Sequence, residues 1–212
     1  MRNFPPIDHD AEADALQTLF FSDGEFEGRP HRVSRSNYLA FLSLRGTEIT
    51  AEVEKLRAEL SQHSREDMER DISRLLKASN WRFHNIACVA LAAVSPTAGA
   101  VEALWRRVRL GSWTSPQLVA TAAYVDSSFK ERAGVAVASR ETYFKSIVPL
   151  AAVLYSEFGT LPSEGSPAHA LLLEAQGLDR DRSGDIAVSW LANLRAAFDL
   201  IGLSTAQPSA AG

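Results

Sequence analysis

The residues best fitted for recognition chemistry are arginines set beside tryptophans. Arg82 follows Trp81, while Arg106, Arg107 and Arg109 follow Trp105, with Trp113 a short step beyond the last of them. A guanidinium offers a planar fork of donors that suits a carboxylate or a phosphate, and its flat face stacks on an aromatic ring. Arg106 and Arg109 are three apart and so share one side of a helix, whereas Arg107 lies about 100° round from Arg106 and is expected to be exposed separately. The candidate binding set is therefore Trp81, Arg82, Arg106, Arg107, Arg109 and Trp113. Its chemistry is either capture of an acidic or phosphate-bearing partner or the packing of arginine stems over tryptophan faces.

Two further groups have metal-ligand chemistry. Asp179, Asp181, Ser183 and Asp185, with Gly184 and Ile186, follow the opening of a calcium loop: alternate oxygen ligands, then a glycine and an aliphatic residue. The closing position holds Trp190 where a bidentate glutamate is needed, and Arg180 and Arg182 add positive charge. The loop is therefore expected to be a capped connection between two helices. His84 and Cys88 stand at i,i+4 but no third ligand is near, which predicts a packed thiol and a partly exposed imidazole. A Gly-rich phosphate loop, a G-x-S-x-G elbow and an H-E-x-x-H pair are all missing, and no cofactor or metal is expected.

The elements that position these residues come from a repeat. Asn80 to Val94 (NWRFHNIACVALAAV) and Ser112 to Asp126 (SWTSPQLVATAAYVD) overlay with Trp113 on Trp81, Leu118 on Ile86, Ala122 on Ala90 and Val125 on Ala93, an offset of 113 − 81 = 32 residues. A period of this size reads as stacked helical pairs, because one pair cannot bury its apolar face without a copy of itself. From Ile86 to Val94 the helix is apolar all round and must be covered on more than one side, with alanines that let neighbouring backbones approach. A weaker third copy spans Phe129 to Phe158. There the period lands on Lys145, and Pro149 and a run of alanines are kept.

Leu76, Trp81, Arg82, Ala87, Ala90 and Leu91 resemble the inner-helix signature of HEAT-type repeats, over roughly residues 66 to 158. The pattern departs where a HEAT unit carries an aspartate before the tryptophan and a valine-arginine pair after it. The resemblance implies an all-α, right-handed stack of helical pairs that acts as a scaffold for macromolecular contacts through its concave face. DNA-lesion glycosylases of similar helical-repeat build need a clearly basic groove, and 22 Lys+Arg against 26 Asp+Glu give this chain a net charge of −4.

Elsewhere, Asp8 or Asp10 caps a helix to about Phe21. Ser22 to Ser36, with Gly24, Gly28 and Pro30 and the cations Arg29, His31, Arg32 and Arg35, reads as a loop with a basic end. Asn37 to Leu44 is assigned as helix, followed by an amphipathic helix from Thr47 whose stripe is Ile49, Val53, Leu56 and Leu60. Ser64 opens a capping box, Ser95-Pro96 ends the first repeat helix, Gly111 is a C-cap, and Thr114 or Ser115 caps the helix that Pro116 begins. Ser166-Pro167 opens a helix that stops at Gly177. Asp185 caps the last one, striped by Ile186, Trp190, Leu194, Ala197 and Ile201. Strand content is expected to be negligible, and residues 203–212 to be a disordered tail.

At 212 residues the chain suits one domain, over 1–202. The single cysteine fits a reducing compartment, the first residues lack the pattern of a secretory signal, and the longest apolar run is too short to span a bilayer. A cytoplasmic protein with no membrane contact is expected. The sequence thus reads as a protein-binding scaffold or adaptor, an inhibitor or immunity-type protein being its narrower form. The alternative is an enzyme or nucleic-acid-binding protein that uses the Arg/Trp ridge.

Overall fold

Side-chain caps fix where five of the helices begin. In the computed structural model, which describes residues 6–200, Asp8 accepts from the backbone N–H of Ala11, Ser64 from Asp67, Asn80 from Arg82, Thr97 from Ala100 and Ser166 from His169. Each satisfies a donor that the first turn cannot pair internally. The described residues form helices α1 (His9–Leu16), α2 (Ala40–Ser43), α3 (Ile49–Leu60), α4 (Arg65–Lys77), α5 (Trp81–Ala93), α6 (Ala98–Leu110), α7 (Ser115–Val125), α8 (Phe129–Val137), α9 (Phe144–Phe158), α10 (Pro167–Leu178) and α11 (Ser183–Leu200). Strands β1 (Phe21–Phe26) and β2 (Arg29–Ser34) lie between α1 and α2. The protein is all-α in class, with one small hairpin.

The repeat-bearing helices lie side by side, α5 against α7 and α7 against α9, and each packs on the helix before it in sequence. The matched residues Ile86 and Leu118, and Ala90 and Ala122, are fully buried in a core that runs from Ala15 to Phe198. Helices α2 and α3 pack on α5, and α11 packs on α7, α9 and α3. This second cover explains why α5 is apolar all round from Ile86 onward: α2 and α3 pack on it in addition to α4 and α7.

Gly111 ends α6 at φ 83°, and a Cβ there would sit 2.1 Å from the Tyr143 ring. The position is closed to other residues by both backbone and space. Four other boundaries differ from the sequence reading, and the first is that the helix assigned over Asn37 to Leu44 is reduced to Ala40–Ser43. Helix α1 stops at Leu16, because Thr18 turns its hydroxyl onto the Ala15 carbonyl at 2.7 Å and Asp71 accepts the Leu19 N–H at 2.9 Å. Helix α10 runs through Gly177 to Leu178. Asp185 sits inside α11 paired with Arg182, and the carboxylate of Asp179 caps the helix by accepting from both the Ser183 N–H and its hydroxyl. Ile201 and the tail 203–212 lie outside the described residues.

The segment expected to be a loop, Ser22 to Ser36, is mostly hairpin. Strands β1 and β2 pair antiparallel with Phe26 opposite Arg29, so Glu27 and Gly28 form a two-residue turn, both at positive φ. That is the turn whose twist suits a hairpin. Arg32 fastens it to α1, donating to the carbonyls of Leu16 at 2.9 Å and Phe21 at 3.1 Å and to the Asp23 carboxylate at 2.8 Å. The strands are polar and mostly exposed, and so lack the alternation that marks a half-buried strand.

Ala90→Leu or Ala122→Leu adds three carbons where the packing leaves no room, and is expected to cost roughly 1 to 3 kcal/mol. Equilibrium urea unfolding measures it; unchanged midpoints in both variants would place these alanines against solvent.

Candidate binding surface

The surface is built on a short segment that cannot satisfy its own backbone. Helix α2 has four residues, and Leu44 leaves it in the left-handed region at φ 51°. Its carbonyls, and that of Tyr38 just before it, are met instead by side chains from three other helices. Gln117 of α7 donates to the Leu42 carbonyl at 3.0 Å, Trp190 of α11 to Phe41 at 3.0 Å and Asn193 of α11 to Ser43 at 3.0 Å. Asn85 of α5 donates over a longer 3.5 Å to Tyr38. Asn85 and Gln117 are themselves a matched pair, 117 − 85 = 32 residues apart. The clamp fixes residues 38–43 across the first turns of α5 and α7.

It thereby places Tyr38 beside the two matched tryptophans. The rings of Trp81 and Trp113 are 4.8 Å apart, and Tyr38 meets Trp81 edge to face at 5.9 Å. The guanidinium of Arg82 lies 4.7 Å from the Trp81 ring and 5.6 Å from Tyr38, and donates to the Tyr38 hydroxyl at 3.2 Å. Among the described residues Arg82 has no carboxylate partner. Trp113 is 50% exposed and forms one wall of a cleft of about 350 Å³ with Leu42, Pro116, Gln117, Lys145 and Ile186. That cleft continues, through Leu42, Asp181 and Ile186, into a second of about 410 Å³ that includes Arg45 and Asn193.

The predicted site residues fall into three places. Trp81, Arg82 and Trp113 come together as described. Arg106 and Arg109 are exposed on α6, and Arg106 lines a different groove, between α6 and α4. Arg107, expected to be exposed, is instead buried at 5%. It donates to the carbonyls of Leu76 and Lys77 at 2.7 Å each and Gly111 at 3.4 Å, so it closes the C-terminal ends of α4 and α6. Trp105 takes no part in a ridge: its indole N–H donates to Asp126 at 2.6 Å, and Arg132 covers its face at 4.9 Å.

Sequence reasoning missed Tyr38, Leu42, Arg45 and Lys145. For Lys145 the signal was present, since the period carries Trp81 to Trp113 and then to Lys145, which lines the same cleft as Trp113. Tyr38 is brought in by the clamp on α2, a long-range contact with no local pattern.

The carboxylates of the aspartate loop diverge. Asp179 caps α11, Asp181 pairs with Lys145 at 3.2 Å and Asp185 pairs with Arg182 at 2.6 Å. Cys88 is fully buried, and burial pushes its thiol up to about 12. His84, predicted partly exposed, is fully buried as well. Its Nε2 lies 2.8 Å from the Ala78 carbonyl and must donate to it, so Nδ1 accepts from the Ser112 hydroxyl at 2.7 Å. A Ser–His contact of this length is the geometry of an activated nucleophile. Here both groups are sealed in the core, and the pair is a tie between α5 and the loop before α7. No family model, curated protein or solved structure matches the chain.

Burial, followed by the charge of Arg107, lowers the His84 pKa from its ordinary 6.5 to about 3. Below pH 6.5 the unfolded chain takes up a proton that the folded one refuses. His84 therefore costs nothing above that pH and lowers stability progressively as pH falls from 6.5 towards 3. Between pH 7.5 and 5.0 the loss from this group is expected to be about 2 kcal/mol. Urea unfolding at the two pH values checks it. His84→Gln should flatten the difference, and an equal loss in both proteins would assign the effect to other groups.

Proposed function

We propose that the protein is a binding module for another protein, engaging its partner through the Tyr38–Trp81–Trp113 ridge and the cleft beside it. The observation that carries this reading is the state of Arg82. Its guanidinium is held against the Trp81 and Tyr38 rings, at 4.7 and 5.6 Å from their centroids, and lacks an acidic partner among the described residues, while Trp81 in turn meets the half-exposed Trp113. Tyrosine, tryptophan and arginine dominate the energetics of protein interfaces, because they bring large rigid contact area with a polar end. A preordered arginine forfeits little side-chain entropy on meeting a carboxylate. The partner's matching surface is an apolar side chain flanked by an acidic one.

The HEAT-like reading belongs to the same proposal. Pairwise packing of α4 with α5, α6 with α7 and α8 with α9, together with the contact of matched tryptophans, supports a short stack of three helical pairs. In such a stack the first turns of successive inner helices line up into a ridge, which suits an adaptor or scaffold. The cover of α5, α7 and α9 by α2, α3 and α11 moves the expected binding face from the concave side to the edge.

Affinity capture from the source cell, with the wild type, a Trp113→Ala/Arg82→Ala double variant and Arg106→Gln as baits, tests this reading. A partner held by the wild type and by Arg106→Gln should be lost from the double variant, with affinity weakened by about 2 kcal/mol or more. The double variant should keep the wild-type melting temperature to within a few degrees, since both side chains stand at the surface. A partner that binds the double variant as tightly as the wild type would overturn the assignment.

A further inference from the structure

Of the α6 arginines that the ridge does not use, Arg106 and Arg107 line a second groove. Helices α4 and α6 run alongside each other: Arg65 donates to the Ser95 carbonyl just before α6, the Thr97 N–H and hydroxyl donate to Glu69, and Arg107 donates to the Leu76 carbonyl. Between them is a groove of about 340 Å³. On α6 its wall is the stripe Gly99, Ala103, Arg106 at helical spacing, and the two small residues are what leave the groove open. From α4 come Arg74 and Lys77, and Arg107 lies buried at its inner side. Four cations thus line one groove, and no carboxylate is among its lining residues.

Cations at helix C-termini have an ordinary use, which is to offset the partial negative charge of the last carbonyls. Arg107 already fills that role for α4 and α6, by direct hydrogen bonds to Leu76, Lys77 and Gly111. The side chains of Lys77 and Arg106 make no hydrogen bond or ion pair among the described residues, and Arg74 makes only a 3.4 Å contact with Asp71. Their charge exceeds what the helix ends need. The chain as a whole is acidic, so this concentration does not come from an overall basic composition.

We infer that this groove binds a phosphorylated small molecule, its phosphate held by Arg74, Lys77 and Arg106 in the positive potential of Arg107. Phosphate suits the site because several guanidinium and ammonium donors can share its oxygens with charge-assisted hydrogen bonds. The groove is at the lower end of the size range of small-molecule sites, which fits a phosphomonoester or a diphosphate. This site is separate from the aromatic ridge and does not depend on it.

Inorganic diphosphate is the probe. Titrated into the full-length protein, it should raise the melting temperature saturably, beyond the effect of sodium chloride at matched ionic strength, and should bind measurably by calorimetry. Lys77→Gln and Arg106→Gln should each weaken that binding at least about tenfold while keeping the helical circular dichroism signal. The two variants are made singly, so that loss of fold in one leaves the other to decide. Trp113→Ala should bind diphosphate as the wild type does. No saturable shift over salt, or unchanged affinity in both groove variants, overturns the site. Loss of diphosphate binding in Trp113→Ala would move the anion to the ridge, and tighter binding of a phosphoserine peptide than of diphosphate would overturn the small-molecule assignment.

Discussion

The backbone carbonyls of residues 38–43 are the constraint on which the arrangement of this molecule depends. A helix of four residues leaves nearly all of its carbonyls without an internal partner, and buried polar groups of that kind must be paired. Here they are paired by side chains that lie 47 to 150 residues away in sequence. One short segment therefore locks α5, α7 and α11 into a single geometry. The clamp is a device of specificity more than of net stability. Each neutral hydrogen bond contributes about 1 kcal/mol, whereas the Asn85 Oδ1 and Gln117 Oε1 atoms are buried with no partner and cost about as much or more. The amide nitrogens are directed at carbonyls and the oxygens accept the loss.

A second set of buried polar links runs along the same N-terminal ends of α5, α7 and α9. His84 ties α5 to the carbonyl that follows α4 and to the loop before α7, and Arg107 closes α4 and α6 together. Ser146 of α9 then reaches the Val108 carbonyl of α6 at 2.7 Å and the Ser115 hydroxyl of α7 at 3.0 Å. Each link joins one helical pair to the next, at the position where a helix ends and its backbone groups need partners. Packing of alanine-rich surfaces brings these helices close but leaves them free to slide, since small apolar contacts are non-directional. The polar seam fixes their register. The 4.8 Å contact of Trp81 with Trp113 follows from that register and from the clamp.

How much of this was legible in the sequence depends on the range of the interaction responsible. Caps, stripes and helix ends are local, and Ser64, Ser166 and Gly111 stand where their side chains or backbone freedom are needed. The pairing of Trp81 with Trp113 was legible too, because repetition converts a long-range contact into a pattern at fixed offset. The hairpin was not, since its strands are polar and its turn is Glu-Gly rather than the usual Asn-Gly. Nor was the burial of His84 and Arg107. Polar residues on a helix read as exposed, and only the carbonyls of neighbouring helix ends, invisible in the sequence, make their burial tolerable. The supposed single ridge of arginines divided for the same reason: adjacent residues on α6 face different neighbours.

The difference between an arginine whose polar partners are complete and one whose partners are not is drawn within this molecule by Arg132 and Arg82. Both hold a guanidinium just under 5 Å from a tryptophan ring, Arg132 at 4.9 Å over Trp105 and Arg82 at 4.7 Å over Trp81. Arg132 is also paired with Glu102 at 2.7 Å and Asp126 at 3.6 Å, and Asp126 accepts the indole N–H of the same tryptophan. That cluster is complete, and its tryptophan is fully buried. Arg82 has the aromatic half of the arrangement and only a tyrosine hydroxyl for its donors. An acid supplied from outside would complete at Trp81 what Asp126 and Glu102 complete at Trp105. Desolvation then favours the incoming carboxylate over water, because the ring faces already exclude solvent from one side of the guanidinium. The fold thus carries its own example of the contact that the ridge is proposed to make with a partner.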